Sequence, residues 1–204
     1  MLEKQLKFIS EKDQKGPTID LFFHELDQKE TRPKRIFEKT VALFGLLLFI
    51  VTLPVISLLI LLTIGWPIFV KNDFYGYRGN RLERYLYRIH KTDEATVKTG
   101  IGRFLYKTGL YKLPNCVNIL RGEMSLVGPN PLPLDDSEVL NKKFTDFYKR
   151  FSTHPGVVGV QNGDSWELNQ NTEQLAQSLK KELRYVLNPS LKNDIKVLKG
   201  VFQQ

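Results

Sequence analysis

A mostly helical α+β protein that meets a membrane is the fold class the sequence predicts. Three features predict it. An uncharged run of 24 residues, Val41 to Ile64, is long enough to enter a bilayer. Short strand-like stretches punctuated by glycine follow between residues 66 and 92. Beyond Ile101, apolar residues recur mostly at helical spacing. A chain of 204 residues suits one large domain, or one domain with an appendage.

Residues 1 to 33 are mixed polar and charged, with one apolar patch, "IDLFF". They read as an extension with room for a short surface helix. The uncharged run follows. As a helix it covers ~36 Å, against ~30 Å of hydrocarbon in a bilayer. It is too long and starts too late for a cleaved signal peptide. Pro54, near its middle, deletes a backbone hydrogen bond and bends a helix there. Thr52 and Ser57 stand close enough to satisfy freed groups. Two readings stand at this point. One is a kinked spanning helix. The other is a helix that breaks, turns back and leaves by the face it entered. Lys29, Arg32, Lys34, Arg35 and Lys39 precede the run, and Lys71, Arg78, Arg81 and Arg84 follow it. Basic flanks on both sides place both ends in the cytoplasm. The downstream set equally fits a globular domain.

"WPIFV", "DFYGYRGN" and "YLYRI" read as a hairpin turning at Gly76 and Gly79. "IGRFLYKTGLYKLPNCVNILRG" reads as two helices, Pro114 marking the first turn of the second. In "LVGPNPLP", Pro129, Pro131 and Pro133 stiffen a loop that is neither helix nor central strand. "NKKFTDFYKRFS" reads as an amphipathic helix, lying in a membrane interface or facing the core. The C-terminal stretch reads as two helices broken at Asn188-Pro189.

The formal charge is +8. Ten Lys/Arg against three Asp/Glu between Arg78 and Arg121 hold most of it. That block implies an anionic partner, or a solvated face. The single Cys116 excludes an internal disulfide and suits a reducing compartment. His24, His90 and His154 are far apart and have no Cys partners, so they suit surface or capping roles.

Five elements in this order resemble the bacterial sugar transferase family, from about Lys34 to Phe202. They are "KR" before an apolar helix with an internal proline, "WPIFVKNDFYGYRG", "TGIGRFLYKTGLYKLPNCVNILRGEMSLVGPNPLP", "HPGVVGVQ" and "ELRYVLNPSLKNDIKVL". Members are monotopic phosphoglycosyl transferases. They move a sugar-1-phosphate from a nucleotide diphosphate sugar onto a polyprenyl phosphate. The resemblance implies a re-entrant helix kinked at Pro54, a cytoplasmic-face location on the inner (plasma) membrane, and a role in polysaccharide assembly. It implies three segments: a polar extension at 1–33, a basic flank and re-entrant helix at 34–70, and a cytoplasmic domain at 71–204. It turns the basic block toward membrane lipid, polyprenyl phosphate and nucleotide sugar, and away from nucleic acid. The proline loop then frames a site at the membrane surface that cradles a pyrophosphate.

The chain departs from the family where the chemistry sits. The family's LDELPQ supplies an Asp nucleophile, an assisting Glu and a site for Mg²⁺. Here the stretch reads "LYKLPN", with Tyr111 and Lys112 at the two acidic positions. The covalent step needs a nucleophilic carboxylate, and Mg²⁺ wants hard anionic oxygens. A tyrosine hydroxyl with a pKa near ~10 stays protonated at neutral pH. A lysine repels the metal, yet can bind phosphates. Other family cations are replaced: Asn130 in the proline loop, Phe74 in the hairpin strand and Tyr106 before the central block; Val158 stands for a threonine. Arg88, Arg103, Ser125 and Gln161 are retained, and with Asn130 they form the candidate phosphate-binding set. Glu123 is the one carboxylate kept inside the block, as a structural anchor or a catalytic group. Three functions follow: a catalytically silent member acting as a partner, as a homodimer or beside an active paralogue; an active enzyme with relocated groups; or a binding module on a spanning helix.

Overall fold

The computed structural model describes residues 31–91, 100–160 and 172–202. The N-terminal extension, apart from its last residues, lies outside them. Helix α1 (Arg32–Thr63) contains the whole charged flank from Arg32 and nearly all of the apolar run. It is helical straight through Pro54. The carbonyl that Pro54 leaves without its i+4 donor is that of Ile50. Thr52 does not reach it: its hydroxyl bonds the carbonyls of Leu48 at 2.7 Å and Phe49 at 3.4 Å. Back-bonding of this kind is a common cause of helix bending.

Strands β1 (Phe69–Tyr75) and β2 (Arg81–Tyr87) pair as the expected hairpin, joined by a 3-10 turn at Tyr77–Gly79. Helix α2 (Gly100–Thr108) is followed by a 3-10 turn (Leu110–Asn115) and helix α3 (Cys116–Arg121). Pro114 therefore sits in the turn before α3 rather than in its first turn. Strand β3 (Ser125–Gly128) runs parallel to β4 (Gly156–Gly159), with Ser125 opposite Gly156 and Val127 opposite Val158. The rigid loop starts only at Pro129, because "LVG" belongs to β3. A Cβ on Gly128 would lie 2.5 Å from the His154 carbonyl oxygen, so glycine is required for this approach. Helix α4 (Leu134–Lys143) ends before a third 3-10 segment, Phe147–Ser152. The expected single helix over "NKKFTDFYKRFS" is thus divided, because Phe144 is extended at φ −126°. Its aromatics face a core: Phe147 and Phe151 pack with Leu132, Leu140, Leu175 and Leu179. Helices α5 (Thr172–Val186) and α6 (Leu191–Phe202) break at Asn188-Pro189 as expected.

The chain forms two compact units. One joins Met1–Ile36, Asp73–Leu82 and Glu123–Gln204; the other joins Phe37–Asn72 and Glu83–Gly122. Within the second, Ile56 and Ile60 of α1 and Ile64 just after it pack on Tyr87, Leu105 and Tyr111. Each such isoleucine contributes about 1.5–3 kcal/mol by leaving water. Much of the apolar run is bare: Leu43, Phe44, Leu47, Ile50, Val51, Val55 and Leu62 are exposed. Only 11% of its most apolar window is buried inside the protein. A bare apolar surface of this size calls for lipid or protein rather than water.

Candidate functional site

The turn that carries the two acidic positions of the family starts from Gly109. Its φ of 73° is left-handed backbone that ends α2 and tips the chain into the 3-10 turn. Tyr111 then points into the apolar cluster of its unit and is 7% exposed. Its ring stacks on Tyr106, 5.6 Å between centroids and 24° from parallel. The Lys112 ammonium lies 5.5 Å from the centre of the Tyr111 ring. Lys112 also fixes the turn through its backbone, donating to Gly109 O at 3.0 Å and accepting from Asn115 Nδ2 at 2.8 Å. The dryness of this cluster is visible at neighbouring Tyr87. Burial pushes its hydroxyl up to about 12, and that hydroxyl has no hydrogen-bond partner among the described residues.

Two cations of the candidate set share this unit. Arg88 donates to three backbone carbonyls: Trp66 at 2.7 Å, His90 at 3.0 Å and Lys91 at 3.0 Å. Its fork staples the end of β2 to the start of the hairpin. Arg103 is exposed on α2.

Among the described residues of the other unit are two buried ion pairs, Lys34 with Asp194 and Arg150 with Glu182. Lys34, at the start of α1, donates to Asp194 Oδ2 at 2.7 Å, Ser125 Oγ at 2.9 Å and the Tyr185 hydroxyl at 3.2 Å. Val127 O, at 3.5 Å, is a further acceptor for the three donors of the ammonium. The Tyr185 hydroxyl lies 2.6 Å from Asp194 Oδ1 and 2.8 Å from Val127 O, and its single proton serves one of them. Ser125 is 2% exposed and donates to Val127 O at 2.9 Å. This network joins α1, β3, α5 and α6. The second pair is Arg150 with Glu182, 3.0 Å apart and both nearly inaccessible. Burial pushes the Arg150 guanidinium down from its ordinary value, and the Glu182 charge opposes that shift. Arg150 also donates to Asn130 O in the proline loop, and Asn130 N donates to Glu182 Oε1 at 3.1 Å. The side chain of Asn130 lies against Gly159, where a Cβ would meet its oxygen. The proline-stiffened loop is therefore held by a buried arginine from the segment before β4.

Glu123 is exposed at the turn between α3 and β3. Gln161 lies outside the described residues. So the structure brings Tyr111, Lys112, Arg88 and Arg103 into one unit, and Ser125, Asn130 and Glu123 into the other. Magnesium does not fit the residues at the family's acidic positions, since a phenol and an ammonium supply no anionic oxygen. Among the described residues, no three of His, Cys, Asp and Glu come together. Sequence reasoning missed the pairing of Lys34 with Asp194 and of Arg150 with Glu182. Both lay inside quoted motifs, but a motif does not say which of its members touch.

Comparison with known proteins places this arrangement. The family model for bacterial sugar transferase matches residues 29–203. A UDP-glucose:undecaprenyl-phosphate glucose-1-phosphate transferase of Escherichia coli is 27% identical over 89% of this chain and 42% of its own length. One of the same name from Klebsiella pneumoniae is 25% identical with the same coverage. An uncharacterized sugar transferase, EpsL, of Bacillus subtilis is 31% identical over 81% of this chain and 83% of its own. The chain thus spans less than half the length of the first two relatives.

Proposed function

This chain belongs to the bacterial sugar transferase family, and on that premise we propose that it is a member without the covalent phosphoryl-transfer step, acting as a membrane-bound partner in polysaccharide assembly. The observation that carries the proposal is the place of Tyr111. A nucleophile has to reach phosphorus, and this side chain is buried among Ile56, Ile60, Leu105 and Tyr87 with its ring stacked on Tyr106. The family's magnesium is not part of the reading, for the reason given above.

What the scaffold keeps is a capacity to sit at the membrane. The bare apolar side of α1 supports this. We place the chain on the cytoplasmic face of the inner membrane, with α1 re-entrant at Pro54 and residues 71–204 as its cytoplasmic domain. The names of the relatives support polyprenyl phosphate and nucleotide sugar as the ligands to test. Arg88, Arg103, Ser125, Asn130 and Gln161 remain the proposed phosphate-facing set, and Arg103 is the exposed member of its unit. A homodimer or an active paralogue is the proposed partner.

The test is turnover. Purified protein in detergent is incubated with several UDP-sugars and undecaprenyl phosphate, and UMP release is followed. The expected result is no release above background. Release that Tyr111→Phe or Glu123→Gln abolishes would instead establish an enzyme with relocated groups. Labelling of single cysteines placed on each side of Pro54 tests the topology. Residues 1 to 40 across the bilayer from residue 71 would refute the re-entrant helix.

A further inference from the structure

Helices α5 and α6, in the unit that holds Lys34, present basic and apolar side chains to the outside together. On α5, Lys180, Arg184 and Leu187 are exposed and follow one another at four and three residues, so they share a face. Leu187 is 60% exposed, and its N–H still bonds Leu183 O at 3.1 Å, so the last turn carries it. On α6, Leu191, Ile195 and Leu198 form a stripe with the same spacing, and Ile195 is 41% exposed. Lys192, Lys196 and Lys199 run beside that stripe, all exposed. Asp194 is buried against Lys34, which fixes the side that α6 turns inward. The two helices hold three acids. Glu182 and Asp194 are buried in ion pairs, so Glu173 alone faces six exposed Lys or Arg.

An isolated exposed leucine is ordinary on a surface that faces water. An exposed apolar stripe flanked by lysines is the pattern of a helix that lies in a lipid interface. Lysine stems cover the apolar surface while their ammonium groups reach the headgroups. The buried network also fixes where these helices stand along α1. Lys34 bonds α6 through Asp194 and α5 through Tyr185. It precedes Val41, where the uncharged run begins, by seven residues of continuous helix, ~10 Å. The headgroup layer on each side of a bilayer is ~5–8 Å thick. A bilayer that receives α1 thus brings its headgroups close to the level of Asp194. An acidic protein would satisfy the charges equally well, but only lipid is brought to this level by α1 itself.

We propose that the α5–α6 corner is a second membrane contact, in which Arg184, Lys192 and Lys196 meet an anionic lipid headgroup layer and Leu187 and Ile195 enter it. The inference rests on the membrane placement of α1 proposed above and adds a face which that placement does not use. The full chain carrying Cys116→Ser receives one exposed cysteine at a time, by Ile195→Cys, Leu187→Cys or Val139→Cys, and an environment-sensitive fluorophore is attached there. Val139 is the control, 52% exposed on α4, whose first turn carries Asp135 and Asp136. The protein is reconstituted into vesicles of phosphatidylcholine, or of equal parts phosphatidylcholine and phosphatidylglycerol, and flotation checks insertion. The chain is expected to float with both. Emission from positions 187 and 195 should shift to the blue only with phosphatidylglycerol, and emission from position 139 should stay as in water. Lys192→Gln together with Lys196→Gln should lower the ratio of docked to undocked probe about 25-fold, roughly fivefold for each lysine. Added salt should act in the same direction. A chain that floats while positions 187 and 195 stay in water would overturn this inference alone. So would an equal shift at position 139, or a parent-like shift in the lysine variant. A shift that appears in neutral vesicles and grows with protein density would assign the face to a second copy and overturn the lipid reading. A chain that floats with neither vesicle would overturn the placement of α1 and this inference with it.

Discussion

At the start of α1, Lys34 is surrounded by oxygen; at the turn before α3, the Tyr111 ring is packed in an apolar cluster. Both side chains are buried. Lys34 has Asp194, Ser125 and Tyr185 within hydrogen-bond distance. Tyr111 has Ile56, Ile60, Leu105 and a stacked Tyr106. The difference separates two kinds of polar position. A charge that serves the fold finds its partner inside the protein, and the pair can be buried for good. Carboxylates that serve phosphoryl transfer find their partners outside, in a metal and a substrate, so they need an open, wet approach. In this chain the first kind of position is filled by a paired charge. Of the second kind, one is filled by the packed Tyr111 ring and the other by the ammonium of Lys112.

The comparison breaks most easily at its polar end. Asp194→Ala leaves a buried ammonium without its counter-ion, and should lower unfolding free energy by about 3–5 kcal/mol. Denaturant unfolding reads this directly. An unchanged midpoint would mean that the pair is solvated. At the apolar end, Tyr111→Asp puts a carboxylate into the cluster and removes a ring. We expect a loss on the order of 3 kcal/mol, measured in the same way. A parent-like midpoint would mean that the pocket opens to water, and would weaken the packing account. Tyr111→Phe sharpens the same point. It keeps the stack on Tyr106 and should cost only about 1 kcal/mol. The smallest effect belongs to an exposed pair. Lys71 lies 2.6 Å from Glu83 across the hairpin. The hydrogen bond from Lys71 holds the Glu83 carboxyl below the ordinary carboxylate range. Its stabilisation is therefore present above the ordinary carboxylate pKa and is lost as pH falls through the lowered value. Glu83→Gln should barely move the thermal midpoint, and salt should erase what movement there is. A large, salt-insensitive change would contradict the view that stability resides in the buried pairs.

Much of this was legible beforehand, and the reasons are local. The apolar run declared α1 by length and lack of charge, and glycines marked the hairpin. Asn188-Pro189 marked the break between α5 and α6. Tyr111 and Lys112 announced the lost carboxylates as soon as the surrounding motif was read. The rest depended on contacts distant in sequence. Lys34 and Asp194 meet from opposite ends of the chain, and no spacing rule predicts it. Ser125 and Arg88 stay in the proposed phosphate-facing set, but no spacing announces the bond from Ser125 to Val127 O or those from Arg88 to three backbone carbonyls. "NKKFTDFYKRFS" has helical spacing of its aromatics, but a short 3-10 segment places Phe147 and Phe151 on the core equally well.

Intact-protein mass spectrometry after incubation with a UDP-sugar, in the presence of Mg²⁺, tests the central claim most directly. A chain whose two acidic positions are filled by a packed ring and an ammonium should keep its unmodified mass. An added sugar phosphate, mapped to Tyr111 or to a neighbouring carboxylate and absent from the corresponding variant, would show that this turn still attacks phosphorus.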